Sequence, residues 1–324
     1  MTQVIQPEHA QQARALRAYG RQVAGLSRNV KLYLGGALVR SGAFSIFGLL
    51  RNLYLLSLGY DAAFIGLIST TRAMTSLACS LPAGFLADRI GRKRAMLIGF
   101  SGVVLVHLCV SVVDRGWAIF GAYVVYGALS PLFAASIAPF LTENSTPDQR
   151  STLFTLSAAL TNLGGFLATT AGGYLPGWFA PMLHTGPEST LAYRAAMLFS
   201  CGILFLGLVP ILLFQDAPIQ VPAQIHAARP AGRRFSNRRL LFKLALPGLI
   251  FSFGASLIFP FLNIFFKQRF AVSDATLGWI LGLTGLMAVP TMLIGGPVAD
   301  RLGKIKTMLY GRTFATPLVL AIGL

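Results

Sequence analysis

Long apolar stretches, separated by short polar segments, dominate the chain. A transmembrane helix needs about 20 mostly apolar residues, and stretches of this length recur eight times before a ninth begins near the end of the sequence. The predicted spans cover residues 32–56, 62–86, 95–113, 116–141, 152–175, 194–214, 241–266, 275–299 and 308–324. The pattern therefore predicts an all-α membrane protein that crosses the lipid bilayer many times.

The composition agrees with this interpretation and excludes several classes of protein. Of the 324 residues, 55% are hydrophobic and only 11% are charged, and the mean hydropathy is +0.67. A soluble domain typically has about 25% charged residues. A disordered chain, a disulfide-rich scaffold and almost any soluble enzyme of this length are therefore excluded.

Basic residues greatly outnumber acidic ones, with 27 Lys and Arg against 10 Asp and Glu. In a soluble protein this excess would indicate nucleic-acid binding, but the cytoplasmic loops of membrane proteins also accumulate Lys and Arg. Twenty of the 27 basic residues lie in the N-terminal tail or in the loops after spans 2, 4, 6 and 8. We therefore expect a plasma (inner) membrane protein with a cytoplasmic N-terminus and no nucleic-acid partner.

An internal repeat relates the two parts of the sequence. The residues Gly84, Asp88, Arg89 and Gly91 at the end of span 2 recur 212 residues later as Gly296, Asp300, Arg301 and Gly303 at the end of span 8. Upstream, Asn52-Leu-Tyr matches Asn263-Ile-Phe. Parallel halves of six spans are the architecture of one large class of transporters.

The repeat predicts the organisation of the chain. We expect a cytoplasmic N-terminal tail over residues 1–30, a six-helix transmembrane half over 31–215, a basic cytoplasmic linker over 216–240 and a partial second half over 241–324.

The first copy of the repeat, Gly84-Phe-Leu-Ala-Asp-Arg-Ile-Gly-Arg-Lys-Arg94, resembles the signature in the loop between spans 2 and 3 of the major facilitator superfamily. The second copy resembles the less well-matched repeat of that signature in the loop between spans 8 and 9 of the family. The resemblance implies a helical bundle with 12 spans, of which about nine are present, so we expect a C-terminally incomplete chain. It also implies secondary active transport by alternating access, in which the two halves rock about a central site.

Within this motif, each residue type has a physical reason. Gly84 would let two helices pack closely, and Gly91 would permit a tight reversal of the chain. Asp88 ends a helix, where the macrodipole disfavours an anion, so we expect it to pair with an arginine or with the N-terminus of another helix.

The resemblance implies a gating role for the motif residues. In the family, the aspartate matching Asp88 belongs to a cytoplasmic latch between the halves that favours the outward-open state, and Asp88 with Arg92 would have that role here. The whole candidate gating motif is Gly84, Asp88, Arg89, Gly91, Arg92, Asp300 and Arg301. The alternative is a loop that only sets the topology.

Three arginines lie inside predicted spans, where charge is costly and therefore a functional candidate. At 1.5 Å per residue, Arg40 and Arg72 lie about 13 and about 15 Å into the membrane, and Arg51 lies on the same face as Arg40, nearer the outer mouth. No Asp or Glu lies in the interior of a span. We therefore expect these arginines to bind an anionic solute. The alternatives are that Arg51 extends to the interface and that Arg40 and Arg72 are structural.

Other features refine the functional prediction. His107 in span 3 either relays protons, which would make a proton the coupling ion, or is an ordinary core histidine. Tyr123 occupies the position at which drug/proton antiporters of the family carry an arginine. We find no nucleotide-binding, metal-binding or nucleophile motif, and therefore expect neither an enzyme nor a cofactor. The alternative function is a non-transporting membrane sensor, a partner-binding protein or an inactive truncated product.

Overall fold

The computed structural model describes residues 25–215 and 238–323. Most of the predicted tail (1–30) and most of the predicted linker (216–240) lie outside the described residues, and these two assignments stay predictions. Within the described residues all regular elements are helical, which agrees with the all-α prediction.

Within residues 25–215, the first half of the chain consists of seven helices. They are α1 (Arg28–Ser57), α2 (Ala62–Ile90), α3 (Arg92–Val112), α4 (Gly116–Glu143), α5 (Pro147–Met182), α6 (Thr190–Leu206) and the short α7 (Leu208–Leu212). Side-chain caps fix two of the starts, because Ser27 accepts a hydrogen bond from the N–H of Val30 and Asp61 accepts one from the N–H of Phe64.

The described part of the second half, residues 238–323, follows the same pattern. It contains α8 (Arg238–Ile258), a 3-10 turn (Phe259–Phe261), α9 (Leu262–Phe270), α10 (Asp274–Leu302) and α11 (Lys304–Gly323). Pro260 lies in the 3-10 turn and interrupts the span formed by α8 and α9.

Seven helical segments of the described residues are long and apolar enough to cross a membrane, and they coincide with predicted spans 1 to 7. The predicted spans 8 and 9 correspond to α10 and α11. The chain is therefore a multi-pass membrane protein, and the count of nine spans stays a prediction.

The two copies of the sequence repeat make the same turn. Gly91, between α2 and α3, has φ = 89°, and Gly303, between α10 and α11, has φ = 88°. Only glycine adopts such values without strain. We call the end of the bundle that carries this turn the Gly91 end, and the opposite end, where Gly59 joins α1 to α2, the Gly59 end.

Helix α5 packs closely against both halves through glycines. A Cβ at Gly164 would lie 2.7 Å from the carbonyl oxygen of Leu38 in α1. On the other side, a Cβ at Gly278 in α10 would lie 2.8 Å from the carbonyl oxygen of Thr169 in α5. Both distances are too short for a real side chain, so these glycines let the helix backbones touch.

Candidate functional site

A pair of asparagines joins the two halves near the Gly59 end. The side-chain amide of Asn52 donates to the carbonyl oxygen of Pro260 (2.7 Å) and to the side-chain oxygen of Asn263 (3.0 Å), and the amide of Asn263 donates to the carbonyl oxygen of Leu49 (2.9 Å). Each accepting carbonyl lies three residues before the other asparagine. Both side chains are buried, and we call this arrangement the asparagine lock.

Polar contacts between the halves continue around the asparagine lock. Lys267 of α9 pairs with Glu188 of the first half (2.8 Å) and with Asp274 at the start of α10. The indole N–H of Trp279 in α10 donates to the hydroxyl of Tyr174 in α5 (3.0 Å). Among the described residues, the hydrogen bonds and ion pairs that join the halves therefore cluster at the Gly59 end.

A cavity of about 270 Å³ lies among the helices of the first half, near the asparagine lock. Its walls come from α1, α2, α3 and α4, and are lined by Phe44, Phe47, Gly48, Arg51, Arg72, Val106, His107, Val110, Tyr123 and Tyr126. A second cavity of about 500 Å³ shares Arg72 and Tyr126 with the first and reaches Ser80, two helical turns closer to the Gly91 end. We refer to the two together as the central cavity.

Two of the three intramembrane arginines line this cavity. The Nε–H of Arg51 donates to the side-chain oxygen of Asn52 (3.0 Å), and its guanidinium carbon lies 5.8 Å from the ring centre of Tyr123. The guanidinium of Arg72 lies 5.5 Å from the ring centre of Tyr126. Among the described residues that line the cavity, none carries a carboxylate.

Tyr123 adds a further polar group to this site. Its hydroxyl oxygen is buried and has no hydrogen-bond partner among the described residues. An unsatisfied buried hydroxyl costs free energy, and a ligand that accepts its hydrogen bond would remove that cost. In the sequence, Tyr123 was notable only because drug/proton antiporters of the resembled family carry an arginine at this position. In the structure, the guanidinium of Arg51 lies beside its ring.

The third arginine occupies a different environment. Arg40 is 4% exposed, and its guanidinium lies 5.2, 5.7 and 5.3 Å from the ring centres of Tyr33, Phe100 and Phe133. Cation–π contacts of this kind stabilise the charge. Arg40 is not among the residues that line the central cavity, so the structure does not bring it together with Arg51 and Arg72.

The candidate gating motif lies at the Gly91 end. Arg92 pairs with Asp88 one turn earlier (2.6 Å) and, through its Nε–H, with Glu143 at the end of α4 (3.4 Å). Asp88 thus pairs with a neighbouring arginine, which is one of the two kinds of partner that we expected. Sequence reasoning did not identify Glu143 as a third member.

The other motif residues make fewer contacts. The side chains of Arg89 and Arg301 are exposed, and the side chain of Asp300 lies outside the described set. No described residue lies within 4 Å of a Cβ built at Gly84. The close helix contact that we expected at Gly84 is therefore not seen in the described part of the chain.

Comparison with protein families gives one match over most of the chain. The model described as Major Facilitator Superfamily matches residues 32–324. Among curated proteins, the chain is 24% identical over 285 residues to "Multidrug resistance protein MdtG" of Klebsiella pneumoniae (strain 342), covering 85% of this chain and 66% of that protein. It is 23% identical over 264 residues to "Uncharacterized MFS-type transporter YqjV" of Bacillus subtilis (strain 168), covering 80% and 61%.

Solved structures share the fold. A D-xylose-proton symporter superposes with a TM-score of 0.58 at 14% identity, covering 84% of this chain and 68% of that one. A bacterial homologue of the human drug peptide transporters superposes with a TM-score of 0.51 at 16% identity, covering 85% and 56%. The chain thus spans just under two thirds of the Klebsiella relative, and 56% and 68% of these two solved chains.

Proposed function

Because this chain belongs to the major facilitator superfamily, we propose that it works as a secondary transporter of a small organic anion by alternating access. The observation that carries the proposal is the pair of guanidinium groups, Arg51 and Arg72, in one cavity whose described lining holds no carboxylate. Charge at such a depth in a membrane protein is costly unless a ligand or a function uses it.

The geometry of the cavity supports an anion with an apolar body. A carboxylate or sulfonate accepts two parallel hydrogen bonds from a guanidinium fork, and the hydroxyl of Tyr123 is a further donor with no partner among the described residues. The rings of Phe44 and Phe47 line the same cavity and suit an aromatic or aliphatic body. We therefore propose Arg51, Arg72 and Tyr123 as the solute-binding residues.

The orientation follows from the charges. We propose that the Gly91 end faces the cytoplasm, because basic residues concentrate in the loops at that end. The halves meet through the asparagine lock at the Gly59 end, whereas the central cavity extends to Ser80, towards the Gly91 end. This arrangement fits an inward-facing state of the transport cycle.

A panel of solutes tests the class of ligand. We expect benzoate and benzenesulfonate to raise the unfolding temperature of the purified chain, because a ligand that binds only the folded state at 100 times its Kd adds about 2.7 kcal/mol. Neutral D-xylose and the cation tetraphenylphosphonium are expected to leave that temperature unchanged. Stabilisation by the cation alone would overturn the proposed anion site.

A second candidate function is the export of drugs, which the similarity to the Klebsiella multidrug resistance protein favours. Where the exported drug is a cation, the two candidates differ in the charge of the solute. A cationic drug would need a carboxylate in the cavity, and none of the described residues that line it has one. The response of the panel to tetraphenylphosphonium therefore decides between the anion site and the export of cationic drugs.

We also propose that the cluster of Asp88, Arg92 and Glu143 controls the change between states at the Gly91 end. Replacing Asp88 by asparagine removes the ion pair with Arg92, and we expect slower uptake of benzenesulfonate into proteoliposomes with largely unchanged affinity. Asp148→Asn, an exposed carboxylate at the same end, is the matched control and should transport at the normal rate. Full activity of Asp88→Asn would contradict the gating role.

A further inference from the structure

His107 lies in the wall of the central cavity, surrounded by aromatic rings. The imidazole ring centre is 4.0 Å from that of Phe47, 5.4 Å from that of Phe44 and 5.4 Å from that of Tyr126. The residue is buried and yet lines the cavity. Its side chain therefore borders the space that we propose for the solute.

A hydrogen bond fixes the form of this ring. Nδ1 lies 2.7 Å from the carbonyl oxygen of Val103, one turn earlier in α3. A carbonyl oxygen only accepts, so Nδ1 must carry the hydrogen and Nε2 must hold the free lone pair of the neutral ring. No described residue hydrogen-bonds to Nε2, which leaves this atom available to take up a proton.

The ionisable groups around His107 come from every helix that packs against α3 in this region. Helices α1 and α2 contribute Arg51 and Arg72, and α4 contributes Tyr123 and Tyr126. On α6, Cys201 contacts Ser111, one turn after His107. Arg40 lies beside Phe100, which is two helical turns closer to the Gly91 end than His107. Beyond His107, Tyr54 of α1 donates to the carbonyl oxygen of Ser111 and to the carboxylate of Asp114, which also pairs with Arg194 of α6. Among the described residues that line the cavity none is a carboxylate, and only His107 has an ordinary pKa within the physiological range.

We propose that Nε2 of His107 is the proton-binding site that couples transport of the anion to a proton. The proposal rests on the proposed function, because it requires an anion between Arg51 and Arg72. The proton comes from water on the side to which the cavity opens, forms an N–H bond at Nε2 and returns to water after the cavity opens to the other side. One anion and one proton then cross together without net charge.

The coupling follows from electrostatics in the cavity. A proton on His107 in the empty cavity would place a third positive charge near two guanidinium groups. A bound anion offsets that repulsion, so the anion favours the proton and, by reciprocity, the proton favours the anion. Neither partner alone would then occupy the site as readily as both together.

The test measures proton uptake when benzenesulfonate binds to the full chain in nanodiscs. A sulfonate stays ionised throughout, so any proton taken up belongs to the protein. With a pH-indicator dye in weak buffer near neutral pH, we expect up to one proton taken up per bound anion. His107→Asn keeps a donor for the Val103 carbonyl but cannot be protonated, and it should lose the uptake.

His184 provides the matched control, because it lies in the loop after α5, outside the cavity lining. His184→Asn should take up protons as the unmodified chain does. A second measurement needs no substitution. The affinity of the unmodified chain for benzenesulfonate should rise up to about tenfold for each unit by which the pH falls between about 8 and about 6.

The outcomes separate the two proposals. Anion binding with undiminished proton uptake in His107→Asn, or with an affinity that does not change with pH, would overturn the role of His107 and leave the anion site standing. Absence of binding by the unmodified chain at every pH would overturn the proposed function together with this inference. If His107→Asn does not fold, the pH dependence of the unmodified chain still decides.

Discussion

Replacement of Arg72 by alanine is expected to lower the affinity for benzenesulfonate about 10- to 150-fold. The estimate corresponds to the loss of hydrogen bonds to a charged group, about 1.5 to 3 kcal/mol. Arg72 lies against the ring of Tyr126 (5.5 Å) and hydrogen-bonds to no carboxylate in the described part of the chain, so its guanidinium is free to bind a ligand. Arg72→Lys keeps the charge without the planar fork, so its affinity for benzenesulfonate should lie between that of the unmodified chain and that of Arg72→Ala.

The stability of the unliganded chain distinguishes binding from a structural role. Removal of a half-buried charge that lacks a counter-ion should leave the unfolding temperature of Arg72→Ala unchanged or slightly raised. Arg115→Ala, an exposed arginine before α4, is the control and should bind the anion normally. A large fall in the unfolding temperature of Arg72→Ala, with normal affinity, would assign Arg72 to the structure rather than to the site.

The second large effect is expected at the asparagine lock. Asn263→Leu removes the donor to the Leu49 carbonyl and the acceptor for Asn52. Hydrogen bonds of this kind contribute about 1 kcal/mol each, and a change of about 1–3 kcal/mol shifts an equilibrium about 5- to 150-fold. We expect the population that is open at the Gly59 end to increase by such a factor.

A cysteine at Leu53 reports this opening. Leu53 is 3% exposed and lies in the core that also contains Ile264 and Leu277 of the second half. In a chain whose native cysteines are replaced by serine, Leu53→Cys should react with a membrane-impermeant maleimide faster when Asn263→Leu is present.

The matched control for this substitution is Asn29→Leu. Asn29 is also buried and hydrogen-bonds to Asn144 and to Gln215, but all three residues belong to the first half. It should lower stability without faster labelling of Leu53→Cys. Equal acceleration by both variants would indicate general loosening and would contradict the lock.

A hydrogen bond connects the proposed solute site to the asparagine lock. The Nε–H of Arg51 donates to the same Asn52 whose amide donates to Asn263 and Pro260. An anion that draws the Arg51 guanidinium into the cavity therefore acts directly on the residue that holds the halves together. This contact provides a short physical path from solute binding to opening of the Gly59 end.

Much of the fold could be predicted from the sequence, because a bilayer imposes strong constraints on it. The apolar stretches predict spans 1 to 7, and the repeated Gly91 and Gly303 mark two turns with nearly the same φ. The match between Asn52 and Asn263 was visible as a repeat, but their mutual hydrogen bonds were not. Sequence similarity between halves does not reveal which ends of the halves meet.

The composition of the site was harder to predict. Helical rise gives the depth of a residue, and the spacing of 11 residues predicts that Arg51 follows Arg40 on one face of α1. At the level of Arg40, however, the opposite helices present Phe100 and Phe133 and close the space. At the level of Arg51 the facing Tyr123 leaves a cavity. Which rings face each level depends on helix packing, which the hydrophobic pattern alone does not specify.

The central claim is that an anion binds between Arg51 and Arg72, and a structure with 4-bromobenzoate tests it most directly. The bromine can be located by its anomalous scattering. We predict that the bromine lies beside the rings of Phe44 and Phe47, with the carboxylate oxygens about 2.7–2.9 Å from guanidinium nitrogens of both arginines. A bound carboxylate that contacts neither arginine, or bromine only outside the central cavity, would contradict the account.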